Sequence, residues 1–78
     1  MNSAAAGLAL VLFDSPQAAM RGERALLAAG IAGKLIPTPR QLGADCGLAW
    51  RFARADGERV RQALERAGVP YRAIRELG

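Results

Sequence analysis

An internal repeat is the feature that most constrains the fold of this 78-residue chain. The segment ALLAAGIAGKLI, residues 25–36, aligns without a gap with ALERAGVPYRAI, residues 63–74. The identical positions are alanine, leucine, a second alanine, glycine and the final isoleucine. In each copy a helical pattern ends at a glycine and is followed by a strand-like apolar stretch. The sequence therefore predicts two copies of a helix that returns into a strand.

The residues before the first copy predict a strand and the start of a helix. GLALVLF, residues 7–13, is a short continuous apolar run of the kind found in central strands. Ser15 is a good N-cap, and Pro16 suits the first helical position, where its missing N–H costs nothing. The first helix is predicted over residues 16–29 and ends at Gly30. Its candidate inward residues are Ala18, Ala19, Ala25, Leu26 and Ala29.

Three further strands and a second helix follow. GKLIPTP, residues 33–39, contains two prolines, so this strand either ends early or lies at a sheet edge. GLAWRF, residues 47–52, alternates, and YRAIREL, residues 71–77, makes the last strand. Asp56 is predicted to cap the second helix, residues 57–67, and Gly68 to end it. The apolar stripe of that helix consists of Val60, Ala63, Leu64 and Ala67.

The resulting order, β-α-β-β-α-β, predicts an α+β fold. With the repeat, it favours a ferredoxin-like split β-α-β sandwich: a four-stranded antiparallel sheet with both helices on one face. Leu48, Trp50 and Phe52 would then pack under the helices. The alternative is the same element order with another strand arrangement. We expect residues 1–6 to form a flexible N-terminal tail and residues 7–78 to form one domain.

Composition limits the chemistry that the chain can perform. Hydrophobic residues make up 51% and charged residues 23%, which is globular composition. There is no histidine and a single cysteine, which argues against zinc sites and against catalysis by a Cys-His or Ser-His pair. No internal disulfide can form, so a cytoplasmic location is expected. We also expect no cofactor. The apolar start lacks a basic segment and is too short to cross a bilayer, so no membrane association is expected.

The loop between the second and third strands holds that cysteine, Cys46, within PTPRQLGADCG, residues 37–47. It is longer than a short hairpin needs, and extra loop length on a small scaffold is often functional. Arg40 and Arg51 bring positive charge that would favour a thiolate, whereas Asp45 opposes it. The alternative is that Cys46 is a small buried apolar residue, which is common for free cysteines.

A resemblance to a known family bears on this choice. LIPTPR followed by CGLAWRF, within this element order and after the helix AAMRGERALLAAGI with Glu23, resembles the putative selenium/sulfur carrier protein-like family of small bacterial proteins. The resemblance covers about residues 8–77. It implies a carrier protein, rather than a stand-alone enzyme, that holds sulfur or selenium on Cys46 as a persulfide or selenosulfide. Gly47 and the segment Thr38, Pro39 and Arg40 would accompany the thiol.

The resemblance also implies partners and shows one departure. A sulfur or selenium donor such as a cysteine desulfurase would load the thiol, and an acceptor protein of unknown identity would receive the atom. Members of the family commonly carry small hydroxyl residues just before the cysteine, where this chain has GAD, residues 43–45. Thiolate attack on a donor persulfide follows the rules of thiol–disulfide exchange and needs only one accessible thiol.

Two other functions remain open from the sequence. The first is a non-catalytic binding or regulatory module, and the second, ranked last, is RNA binding. The net charge of +4 would suit an acidic partner, but the ten arginines are spread among glutamates and alanines. RNA-binding sheets of this shape expose aromatics, whereas Trp50 and Phe52 are predicted to lie in the core. A small core and unpaired strand edges make a homodimer reasonable.

Overall fold

The computed structural model describes residues 7–42 and 47–77. The strands are β1 (Leu8–Leu12), β2 (Gly33–Pro37), β3 (Leu48–Ala53) and β4 (Ala73–Glu76), and the helices are α1 (Pro16–Ala28) and α2 (Gly57–Ala67). Short 3₁₀ helices at Arg40–Leu42 and Arg54–Asp56 precede β3 and α2. The predicted tail, residues 1–6, lies outside the described residues.

The four strands form one antiparallel sheet in the order β2-β3-β1-β4. Each helix connects two strands that are not neighbours, which is the split β-α-β arrangement. The predicted α+β ferredoxin-like fold is therefore confirmed. The second strand lies at a sheet edge and ends at Pro37, as its two prolines predicted.

The internal repeat corresponds to two identical helix ends. Gly30 and Gly68 have φ of 79° and 69°, the left-handed region that glycine adopts without strain. After α1, the Ile31 N–H donates to the Leu26 carbonyl at 3.0 Å. After α2, the Val69 N–H donates to the Leu64 carbonyl at 3.0 Å. Both are the six-to-one bond of a Schellman motif, so the repeat encodes how each helix ends.

The main core lies between the sheet and the helices. Trp50 and Phe52 of β3 are buried there with residues of both helices, as the alternation of GLAWRF predicted. Ala18, Ala19 and Leu26 of α1 and Val60 and Leu64 of α2 are buried in the same cluster. Two predicted inward residues are wrong: Ala29 and Ala67 are exposed. Both line an open groove between the two helices.

A second, smaller apolar cluster lies on the opposite face of the sheet, which we call the open face. Leu10, Leu12 and Ala49 are buried there although no helix covers them. They alternate along the strands with the residues of the main core, so both faces of the sheet are partly apolar. Partly buried residues that pack against them are Ile36, Leu42, Ala73 and Leu77.

None of the helices in the described part of the chain is long and apolar enough to cross a membrane.

Candidate functional site

The loop predicted to be functional begins where the β2–β3 hairpin ends. The last strand pair is Pro37 opposite Leu48. One step beyond it, the Thr38 N–H donates to the Gly47 carbonyl oxygen at 2.9 Å. This bond closes the base of the loop, because it holds the first residue after β2 against the last residue before β3.

The first half of the loop is attached to the open face of the sheet. The Leu42 N–H donates to the Pro39 carbonyl at 3.0 Å, which forms the short 3₁₀ helix at Arg40–Leu42. The Leu42 side chain packs against the cluster of Leu10, Leu12 and Ala49. Sequence reasoning missed this anchor, although Leu42, the single leucine of the loop sequence, was an available signal.

Gly47 gives the loop its return direction into β3. Its φ is +82°, a left-handed conformation that residues with a side chain rarely adopt. A Cβ built on it would meet nothing within 4 Å, so the requirement for glycine is conformational and does not come from crowding. Gly47 is exposed.

Cys46 itself, with residues 43–45, lies outside the described residues. Of the residues proposed to accompany it, the structure brings Thr38, Pro39, Arg40 and Gly47 together at one end of the sheet. Arg40 is exposed there.

Arg51 is not part of this group. It lies four residues beyond Gly47 within β3, which is about 13 Å along an extended strand. Its neighbours across the sheet are Lys34 and Leu10. The positive charge nearest to the loop base therefore comes from Arg40.

The side chain of Thr38 is a feature that sequence reasoning did not identify. Its hydroxyl oxygen is buried and has no hydrogen-bond partner among the described residues. Buried hydroxyls normally have a partner, and leaving one unpaired costs about 1–3 kcal/mol. Among the described residues, the Thr38 hydroxyl is therefore an unpaired donor at the base of the loop.

The strongest ion pairs of the described residues lie far from the loop, on α2. Arg61 donates to Glu58 and, at 2.8 Å, to Glu65. The hydrogen bond from Arg61 lowers the pKa of Glu58, and the two carboxylates raise the pKa of Arg61. In residues 7–42 and 47–77 there is no group of three or more His, Cys, Asp or Glu side chains arranged to hold a metal ion.

Comparison with protein families gives one match, over nearly the whole chain. Residues 8–76 match the family described as "Putative Se/S carrier protein-like". The chain belongs to this family. The matched range runs from the start of β1 to the end of β4 and so includes the hairpin loop. Comparison with curated proteins and with solved structures gives no match.

Proposed function

We propose that this protein carries sulfur or selenium on Cys46 and passes it from a donor protein to an acceptor. Membership of the family described as "Putative Se/S carrier protein-like" is the observation that carries the proposal. Because the sequence contains one cysteine and no histidine, it offers a single nucleophile for such a role.

The proposed loading step conserves atoms and electrons. The Cys46 thiolate attacks the outer sulfur of a cysteine persulfide on a desulfurase. The S–S bond of the donor breaks, its cysteine leaves as a thiolate, and a new S–S bond forms on Cys46. One persulfide is consumed and one is made, so no external oxidant or reductant is needed. Unloading repeats the step with an acceptor thiolate, and a selenosulfide would form and transfer in the same way.

The geometry at the loop base supports this role. The Thr38–Gly47 bond fixes both ends of the segment that carries Cys46, and the positive φ of Gly47 turns the backbone immediately after it. Arg40, in the short 3₁₀ helix, supplies an exposed positive charge on the same loop. Positive charge close to a thiol favours the thiolate, which is the reactive form.

The Thr38 hydroxyl, unpaired among the described residues, is relevant to the segment where this chain departs from the family pattern. This chain has GAD, residues 43–45, where the family resemblance implies small hydroxyl residues before the cysteine. We propose that the Thr38 hydroxyl, which has no partner among the described residues, is the donor that favours the thiolate in their place. A hydrogen bond to a charged acceptor contributes about 1.5–3 kcal/mol, enough to favour the thiolate.

The test is loading by a purified cysteine desulfurase with cysteine as substrate, followed by mass spectrometry of the intact protein. We expect a mass gain of one sulfur atom that dithiothreitol removes. The Cys46→Ser variant should gain nothing. Supplying selenocysteine to a selenocysteine lyase in a parallel reaction tests selenium.

A second variant separates the hydroxyl from the thiol. Thr38→Val keeps the shape of the side chain and removes its oxygen, so we expect slower loading and a loss of unfolding free energy no larger than that of one hydrogen bond, about 1.5–3 kcal/mol. If wild-type Cys46 gains no mass and does not react with iodoacetamide, the carrier function is wrong. The chain is then better described as a binding module.

The cellular setting follows from the same chemistry. We propose a cytoplasmic location, because a lone carrier thiol works only where thiols stay reduced. A homodimer remains a prediction, with β2 and β4 as the two edge strands that could pair.

A further inference from the structure

One row of residues across the open face of the sheet carries three cations. In the strand register, Lys34 of β2 lies opposite Arg51 of β3, and Arg51 lies opposite Leu10 of β1. Leu10 in turn lies opposite Arg75 of β4. Side chains of directly opposite residues point to the same face and have Cβ atoms about 4.5–5.5 Å apart. We call Lys34, Arg51 and Arg75 the basic row.

No described carboxylate neutralises the basic row. All three side chains are exposed, and the ion pairs of the described residues use other arginines: Arg54, Arg59 and Arg61. Glu76 is the only acidic residue within the four strands. It lies opposite Ala9 of the main core, so it belongs to the other face, where it pairs with Arg54 at 3.7 Å.

The basic row lies among apolar residues of the same face of the sheet. Leu10 is fully buried although no helix covers it, and the register places it between Arg51 and Arg75, whose long stems lie beside it on this face. Next to the row, Leu8 is 42% exposed, which is unusual for a large apolar residue in a central strand. A shallow depression of about 290 Å³ lies here, and its lining includes Leu8, Ala53, Lys34 and Arg51. Asp56 also lines the depression, and its carboxylate accepts a hydrogen bond from Arg59 at 3.4 Å.

We propose that the open face docks an acidic surface of a partner protein, with carboxylates on the basic row and apolar side chains against Leu8 and Ala53. Guanidinium groups bind carboxylates through bidentate hydrogen bonds, and arginine is enriched in protein interfaces. The partner is a sulfur or selenium donor or acceptor, an assignment that rests on the proposed carrier function. The loop also anchors on this face through Leu42, so a partner docked here lies on the side to which the loop is attached.

A protein fits this face better than a nucleic acid does. Binding of single-stranded RNA to a sheet uses exposed aromatics on which bases stack. The described residues of the open face include no aromatic side chain, because Trp50 and Phe52 are buried on the helix side. Three cations with adjoining leucine and alanine form a compact mixed patch of the kind that protein interfaces use.

The docking test uses an octaglutamate peptide titrated into the ¹⁵N-labelled Cys46→Ser protein, with amide shifts followed by NMR. We expect the largest shifts along β1, β3 and β4 around Leu10, Arg51 and Arg75. Binding should weaken with added salt, because exposed charges are screened. The double variant Arg51→Glu/Arg75→Glu should bind at least about tenfold more weakly, since it reverses two of the three charges.

The matched control is Arg24→Glu/Arg66→Glu, which changes the net charge by the same amount on the exposed side of the helices. We expect it to retain most of the affinity. Arg51→Met/Arg75→Met keeps an unbranched apolar stem on each side of Leu10 and removes only the charge. Equal weakening in control and test variants, or shifts confined to the helices, would contradict the proposal. Tighter binding of an oligouridylate of equal charge would assign the face to nucleic acid instead.

A transfer experiment connects the surface to the carrier function. The rate of sulfur loading is compared between a desulfurase and a small donor, glutathione persulfide, in the chain with native Cys46. We expect Arg51→Glu/Arg75→Glu to slow loading from the desulfurase by about tenfold and to leave loading from the small donor unchanged. Equal rates from the desulfurase would show that this donor does not use the face. If neither donor loads the wild type, the carrier function fails, and the peptide titration alone decides whether the face binds acidic chains.

Discussion

At the scale of single residues, Gly33 marks a point where the backbone and a core side chain come into direct contact. A Cβ built on Gly33 would overlap the indole ring of Trp50. Trp50 is fully buried, so its ring has no space into which it could move. The absence of a side chain at this edge-strand position therefore makes room for the largest residue of the core.

We expect Gly33→Ala to lower the free energy of unfolding by about 1–3 kcal/mol, the usual cost of overpacking a core. The fluorescence of Trp50, the only tryptophan, reports unfolding in urea. Gly57→Ala is the matched control, because it sits at the start of α2 with φ −54° and open space around its Cβ. The control should be neutral or stabilising by up to about 1 kcal/mol. Similar losses in both variants would exclude contact with Trp50 as the cause.

The cluster of Glu58 and Arg61 makes a prediction about pH. The Arg61 hydrogen bond holds the pKa of Glu58 below its usual value of 4.5. Such a depressed pKa adds stability above the pKa of the unfolded state, and this stability disappears as pH falls through the lower pKa of the folded state. We expect Arg61→Gln to raise the pKa of Glu58 and to flatten this part of the acid unfolding curve. A ¹³C NMR titration of the Glu58 carboxyl measures its pKa in the wild type and in the variant. An unchanged pKa in the variant would show that the Arg61 hydrogen bond is not what lowers it.

At the scale of elements, the two helices end alike and begin differently. The Ser15 hydroxyl accepts the Ala18 N–H at 3.1 Å, so α1 has the predicted side-chain cap. Asp56 occupies the N-cap position of α2, but its side chain makes no capping bond and instead accepts from Arg59. The preceding 3₁₀ turn, Arg54–Asp56, gives Asp56 a ψ of 7° instead of the extended backbone typical of a capping residue.

This difference predicts unequal effects of removing the two side chains. Ser15→Ala should cost about 1 kcal/mol of unfolding free energy, because the Ala18 N–H loses its acceptor. Asp56→Ala should cost less, since it removes only an exposed ion pair and a charge near the helix start. Urea denaturation of both variants checks the order. A larger loss for Asp56→Ala would mean that its side chain caps α2 in solution.

At the scale of the whole molecule, the sheet is stabilised from both faces although only one is covered by helices. Leu10 is fully buried on the open face, whereas Leu8, two residues earlier on the same face, is 42% exposed. The burial of Leu10 comes from its position in the centre of the sheet, between β3 and β4. The open face therefore contributes to the core as well as to the surface.

We expect Leu10→Ala to cost about 2–5 kcal/mol, as for a leucine in a conventional core. Leu8→Ala should cost about 1 kcal/mol or less, because its side chain is already partly in water. Equilibrium unfolding followed by Trp50 fluorescence compares the two. If both variants lost the same small amount of unfolding free energy, the open face would contribute nothing to the core.

Much of this fold could be predicted from local patterns. The order of elements, the bounds of α2, the N-cap at Ser15 and the glycine ends of both helices all depend on residues close together in sequence. Capping, helix termination and the alternation that buries Trp50 act over a few residues, so the sequence expresses them directly. The prediction was wrong at Ala29 and Ala67, which line the open groove between the two helices. Helical periodicity does not tell which residues at the side of an apolar stripe the neighbouring helix covers.

The sequence by itself determined the two-fold β-α-β repeat and a hairpin loop that carries the only cysteine. Tertiary structure alone decided which residues of distant strands share a row. Lys34, Arg51 and Arg75 lie on three strands, and only the register through Leu10 brings them together. It also decided that Leu42 anchors the loop and that Arg51 lies along the strand, away from the loop base. The physical reason is that strand register is fixed by pairing across the sheet, and a shift of one residue moves every side chain to the other face.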